Sequence, residues 1–351
     1  MRRWLRVAPW TSLLVGSLAV LITSCRSTPP VALDRYEFRS PQMGVPFRIV
    51  LYAPNETTAR AAAKAAFARI SELNGIMSDY DDDSELSRLS RTSGSGQWVP
   101  VSEDLWRVLV AAQDFARRSA GAFDITVGPY VNLWRRARRE HQMPSPQWLA
   151  RARKSVGYEL LELNPKNHSV QLVAPNMRLD LGGIAKGYAA QEALRTLENH
   201  GFRRALVAGA GDISVGDPPP GRPGWRIEIA PLDVTNAPPP RFAVLRRMAV
   251  STSGDLFQRL EIDGKRYSHV VDPRTGIGLT DHSLVTTIAP TGMTADALCK
   301  VVSVLGPTDG LKLVETEEAA AAQVVRKPGD TIQFSVSRRF DRFLEKTPPA
   351  R

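Results

Sequence analysis

The sequence is poor in cysteine: Cys25 and Cys299 are the only two in 351 residues. A disulfide-stapled scaffold is thereby excluded, and an oxidising compartment is tolerated rather than exploited. Long apolar runs are also missing. The one near the start, Leu13 to Ile22, falls short of the ~20 residues that span a bilayer. No internal repeat is present, which excludes a solenoid or propeller, and no linker is long enough to force a second domain. The 26 prolines and 25 glycines call for many turns but stop below the level of collagen-like or disordered chains. With 43% apolar and 23% charged residues, the composition is that of a globular protein with a sizeable core.

What is there begins with an export signal. Arg2, Arg3 and Arg6 form a basic start, the short apolar run follows, and Thr23-Ser24 precede Cys25, the pattern of a secretory segment. The Ser24-Cys25 junction resembles the bacterial lipobox, in which the cysteine is acylated and becomes the new N-terminus. Arg26 follows instead of Asp, so no inner-membrane retention signal is visible. The expected organisation is a signal over 1–24, a tether over 25–35 and one domain over 36–345. It places the protein in the cell envelope, lipid-anchored on the periplasmic side of the inner or outer membrane. The formal net charge is +10, with basic runs at Arg135-Arg136-Ala137-Arg138-Arg139 and Arg151-Ala152-Arg153-Lys154. These read as solvated loops, or more sharply as an attraction for anionic headgroups or a phosphate-rich ligand. Nucleic acid is not an expected partner of an exported lipoprotein.

Periodicity predicts helices over 56–73, 103–118, 146–154, 184–199 and 296–305, the last stopped by Gly306, and a further one over 307–315. Strands are expected at 47–52, 205–208, 225–229, 241–250 and 267–271. Chemistry-bearing residues sit at the edges of these elements. Asp180-Leu-Gly-Gly-Ile-Ala-Lys186-Gly-Tyr188 runs from a strand into a helix. Its glycines let backbone amides approach an anion at a helix N-terminus, and Lys186 adds a cation in the first turn. The spacing is not that of a P-loop. Ser251-Thr-Ser-Gly254 reads as a hydroxyl-rich turn. His269 alone among the five histidines has polar, site-like neighbours. Asp296, near a helix start, is either a cap or a ligand for a hard cation such as Mg²⁺.

Taken in order, Met43-Gly44, Ser78-Asp-Tyr80-Asp-Asp-Asp-Ser84, Ala122-Phe123-Asp124, Asp180 to Tyr188, Gly211-Asp212, Ser251 to Gly254, His269-Val-Val271-Asp-Pro-Arg-Thr-Gly276 and Ala295-Asp296-Ala resemble the ApbE-type FAD:protein FMN transferases. The resemblance implies a monomeric α/β (α+β), T-fold-related domain with mixed sheets and flanking helices. It implies an enzyme that cleaves FAD, attaches FMN through a phosphoester to a Thr or Ser of an exported redox protein, such as a respiratory one, and releases AMP. It assigns Met43, Tyr80, Ala122, Phe123, Asp124, Asp180, Lys186 and Val271 to the FAD site. His269 falls to the role of general base, with Asp180 and Lys300 as further catalytic candidates. Mg²⁺ falls to Gly183, Asp296 and the position of Lys300, where the family has a threonine. Ala210 replaces a further family glycine. Three outcomes follow for Lys300: it points away from a metal completed by water, it pairs with Asp296 and touches the pyrophosphate itself, or the site binds flavin without turnover. FAD pyrophosphatase and a non-catalytic FAD-binding lipoprotein are the competing functions.

Overall fold

Short segments, several of them far apart in the chain, build an antiparallel sheet whose strand order follows the chain. Its eight strands are β1 (Asp34–Gln42), β2 (Val45–Ala53), β3 (Ala205–Gly209), β4 (Asp212–Val215), β5 (Met248–Gly254), β6 (Ser283–Ala289), β7 (Ala321–Arg326) and β8 (Gln333–Val336). Each pairs antiparallel with the next. The structure, a computed structural model, describes residues 32–233, 239–254, 259–329 and 331–346. Cys25, the expected signal and most of the expected tether lie outside the described residues. The sheet and its helices belong to one compact unit starting at Leu33.

The β1–β2 turn shows the local logic. Gln42 pairs with Val45, so the turn is Met43-Gly44, and both have positive φ, 49° and 73°. Such two-residue turns match the twist of the flanking strands, and glycine takes that backbone without a Cβ penalty.

Alternation along β2 sends Ile49 and Leu51 to one face and Val50 to the other. On the first face lie α1 (Glu56–Met77), α2 (Glu85–Ser90), α3 (Glu103–Arg118) and later α6 (Ala185–Asn199) and α7 (Gly292–Thr316). The buried stripe of α1, Ala59, Ala62, Ala63, Ala66, Ile70, Leu73 and Met77, recurs at helical spacing. The other face carries the hairpin Trp225–Ile229/Arg241–Leu245 and Phe340. Between α3 and α6 the chain forms α4 (Gly128–Glu140) and α5 (Pro146–Arg153).

Several expectations are corrected. The run at 135–139 is not a loop but the second half of α4, which buries Tyr130, Trp134 and Ala137. Ser251–Gly254 is not a turn but the end of β5, paired along its length with β6 and at Ser251 with β4. The strand expected over 241–250 is two strands, broken at Arg247 with φ 48°. β1 and β6 were not anticipated at all. Gly306, φ 75°, does end the first segment of α7 before Pro307.

One contact fixes the site. The first turns of α6 and α7 cross at Gly187 and Gly292, where a Cβ on either glycine would lie 2.1 Å from the other's carbonyl oxygen. Only two glycines permit this approach, and it brings the backbone of α6 to the Asp296 side chain.

Candidate active site

Asp180-Leu-Gly-Gly precedes α6, and Asp180 Oδ1 accepts the Gly182 N–H at 2.8 Å, which folds the glycine pair back into a turn. No side chain caps α6 at Ile184, and the positive dipole end of the helix faces this cluster. Lys186, in the first turn, donates to the Gly182 carbonyl at 3.1 Å. Its ammonium lies 3.2 Å from Asp212 Oδ2 and 3.9 Å from Asp296 Oδ2. Asp212 opens β4, and its other oxygen accepts the Ser251 hydroxyl from β5 at 2.6 Å.

Asp296 is not the cap of α7. Thr291 holds that place, accepting the Thr294 N–H, and Asp296 lies a turn further on with 0% of its side chain exposed. Its Oδ2 accepts the Gly187 N–H at 3.1 Å. Its Oδ1 accepts from Lys300 Nζ, one helical turn later, also at 3.1 Å. Gly183 adjoins the same lysine: a Cβ there would lie 3.0 Å from Lys300 Cγ and 3.3 Å from the Phe123 ring.

These charges shift one another. Burial alone would neutralise Asp296, but Lys186, Lys300 and the Gly187 amide hold its carboxyl below the usual range. Burial works against the Lys186 ammonium too, yet Asp212 and Asp296 outweigh it and its pKa rises. Lys300 is raised likewise, Asp296 overcoming its burial. For Asp212, burial and then the neighbouring Asp296 charge prevail over Lys186, and its pKa rises. Asp180 is pushed up by burial and by Asp79.

A second group lies beside Asp180. Arg135 from α4 forms ion pairs with Asp79 and, at 3.4 Å, with Asp180 Oδ2. Its guanidinium sits 4.0 Å from the Tyr80 ring centroid, a cation–π distance. Tyr80 itself is 78% exposed, so its other face is open to a flat ligand. Arg178 donates to the Asp79 carbonyl and steadies the same loop.

Of the residues expected from the sequence, Asp180, Gly183, Lys186, Asp296 and Lys300 are brought together by these contacts, with the Phe123 ring beside Gly183. Ala122, Phe123 and Asp124 are buried. Asp124 accepts from the Thr126 amide and hydroxyl at 2.8 and 2.7 Å, while burial pushes its pKa up to about 6. Met43 is half-buried against the main core. His269 stands half-buried at the end of the hairpin strand Lys265–Ser268. Val271 belongs to a separate apolar cluster with Tyr130, Trp134 and Tyr267. Sequence reasoning left out Asp79, Arg135, Gly187 and Asp212 as site residues. The spacing of Tyr130, Trp134 and Ala137, with Pro129 at the helix start, was the signal that would have placed Arg135 on a helix.

The donor set was tested against Mg²⁺, which takes oxygen ligands in near-octahedral geometry. All four oxygens of Asp212 and Asp296 are already engaged by Ser251, Lys186, Lys300 and the Gly187 amide. Among the described residues, no group of three or more His, Cys, Asp or Glu side chains could hold a metal ion. The Lys300 ammonium stands on Asp296 where a cation would have to bind, so the residues as arranged do not fit Mg²⁺.

Known proteins resemble this chain in sequence and in fold. The ApbE family profile matches residues 43–324. The chain is 33% identical over 342 residues to the FAD:protein FMN transferase of Klebsiella pneumoniae (strain 342), across 94% of this chain and 96% of that one. It is 35% identical over 277 residues to the FAD:protein FMN transferase of Escherichia coli (strain K12), across 77% and 78% of the two chains. The solved flavin transferase ApbE from Vibrio cholerae superposes with a TM-score of 0.79 at 27% identity, covering 89% of this chain and 99% of that one. With the profile spanning most of the chain and near-full-length relatives above 30% identity, this protein belongs to the ApbE family.

Proposed function

We propose that the protein is an FAD:protein FMN transferase: it cleaves FAD and esterifies the FMN phosphate to a threonine or serine hydroxyl of an acceptor protein, releasing AMP. The observation that carries the reading is the Lys186–Asp212–Asp296–Lys300 constellation beside the first turn of α6. It gathers two ammoniums beside the dipole end of α6, where phosphate oxygens can bind.

In the reaction, the acceptor oxygen attacks the FMN-side phosphorus, the bridging P–O bond breaks, and AMP departs with the bridging oxygen. His269 takes the hydroxyl proton. Lys186, at the dipole end of α6, binds the phosphoryl oxygens and stabilises charge as it develops. Tyr80, backed by Arg135, stacks on the isoalloxazine ring. Asp180 holds the glycine turn through Gly182. Met43 and the Ala122-Phe123-Asp124 turn border the flavin, with the chain near Val271. No step is routed through Mg²⁺, because the side chains present do not fit it.

The same proposal includes export by the signal over 1–24, acylation of Cys25, a tether over 25–35, a domain over 36–345 acting as a monomer, and an exported redox protein as acceptor. The Ser24-Cys25 junction supports the lipid anchor, and mass spectrometry of the mature N-terminus tests it. The function itself is tested by incubating mature protein with FAD and a threonine-containing acceptor. Covalent flavin on the acceptor with equimolar AMP is expected. Free FMN and AMP would indicate a pyrophosphatase, and intact retained FAD a carrier.

A further inference from the structure

The disagreement between the Asp296 surroundings and a divalent ion has a chemical consequence, which rests on the transferase reading above. Asp212 and Asp296 carry two negative charges, and Lys186 and Lys300 two positive ones, within ion-pair distance. These two carboxylates and two ammoniums pair with one another without any ion. A divalent cation binding at Asp296 would have to displace Lys300 from the carboxylate and would meet repulsion from both ammoniums. Lys300 also keeps capacity for a ligand. An ammonium has three N–H donors, and among the described residues Asp296 is its one hydrogen-bond acceptor. The side chain is 16% exposed, so the lysine is not sealed in the core. Gly183 packs against its stem, which places the lysine beside the glycine turn that opens α6.

We propose that the Lys300 ammonium, seated on Asp296, is the resident cation of this site and binds the FAD pyrophosphate directly, so that FAD binding and FMN transfer proceed without a divalent ion. The bonds made and broken are those of the transfer itself: acceptor oxygen to FMN phosphorus, bridging oxygen to AMP, and the hydroxyl proton to the base. Lys300 remains protonated throughout and supplies charge only.

The test uses the mature protein stripped with EDTA, and reads FAD affinity by flavin fluorescence and covalent transfer to a threonine-containing acceptor, with EDTA or with millimolar Mg²⁺. For the native protein both readouts should agree between the two media within about threefold, well under the tenfold that 1.4 kcal/mol represents. Lys300→Thr should bind FAD about 10–100-fold more weakly in EDTA, the range for loss of a charged hydrogen bond, and recover with Mg²⁺. A native protein whose FAD affinity or transfer rises tenfold or more with Mg²⁺ overturns the assignment, whatever the variant does. So does a Lys300→Thr protein that binds FAD normally in EDTA. If FAD binds equally in both media but no flavin ever reaches an acceptor, the transferase reading fails while the Lys300 assignment stands.

Discussion

Gly187→Ala is the most informative single substitution outside the charged groups themselves. The new Cβ would stand 2.1 Å from the Gly292 carbonyl oxygen and 2.8 Å from Asp296 Cβ. Restoring an ordinary contact of about 3.4 Å means opening the α6–α7 crossing by more than an ångström. The Gly187 N–H bond to Asp296, now 3.1 Å, does not survive that shift. Overpacking of a tight contact costs about 1–3 kcal/mol, and a lost hydrogen bond to a charged group about 1.5–3 kcal/mol. The expected destabilisation is thus roughly 2.5–6 kcal/mol by urea denaturation. Because Asp296 positions Lys186 and Lys300, flavin transfer should fall on the order of a hundredfold, the penalty of an ångström-scale misplacement. A variant within about 1 kcal/mol of native stability and within threefold of native transfer would refute the claim that this crossing builds the site.

Three further outcomes follow from the same structure. Gly75→Ala, on the exposed side of α1 with no neighbour within 4 Å of the new Cβ, should stabilise the protein by about 0.5–1 kcal/mol; a loss in urea denaturation would contradict the helix assignment. Asp124 has its pKa pushed from 3.8 up to about 6 by burial, so the folded state holds a proton that the unfolded chain releases. Stability should therefore fall by roughly 3 kcal/mol as pH rises through that window and level off above it. Asp124→Asn should flatten this part of the pH–stability curve, and parallel curves for the two proteins would exclude the effect. Arg135→Leu leaves Asp79 and Asp180 facing each other without their cation; a loss of about 3–5 kcal/mol and weaker FAD binding are expected, and unchanged denaturation would remove Arg135 from the site.

The sequence carried the helices with strong apolar period, such as α3 over Glu103–Arg118, and the ordered motifs at element edges. It hid two kinds of feature. The first is structure that local composition disguises: the arginine run of α4 reads as a solvated loop, although Tyr130, Trp134 and Ala137 recur at helical spacing and are buried. Ser251 to Gly254 looks like a turn because hydroxyls and glycine favour turns, yet its neighbours β4 and β6 supply the ladder that makes it a strand. The second is long-range pairing. Asp212 and Lys186 are brought together only by the sheet and the glycine crossing, and Asp79 and Arg135 are 56 residues apart. The Lys300–Asp296 pair was the exception, since a spacing of four on a helix already puts the two side chains on one face.

The central claim is covalent transfer. Mature protein, FAD and a threonine-containing acceptor should yield an acceptor heavier by one FMN less water, with one AMP released per acceptor modified. AMP appearing with free FMN and an unmodified acceptor, or FAD recovered intact, would contradict it.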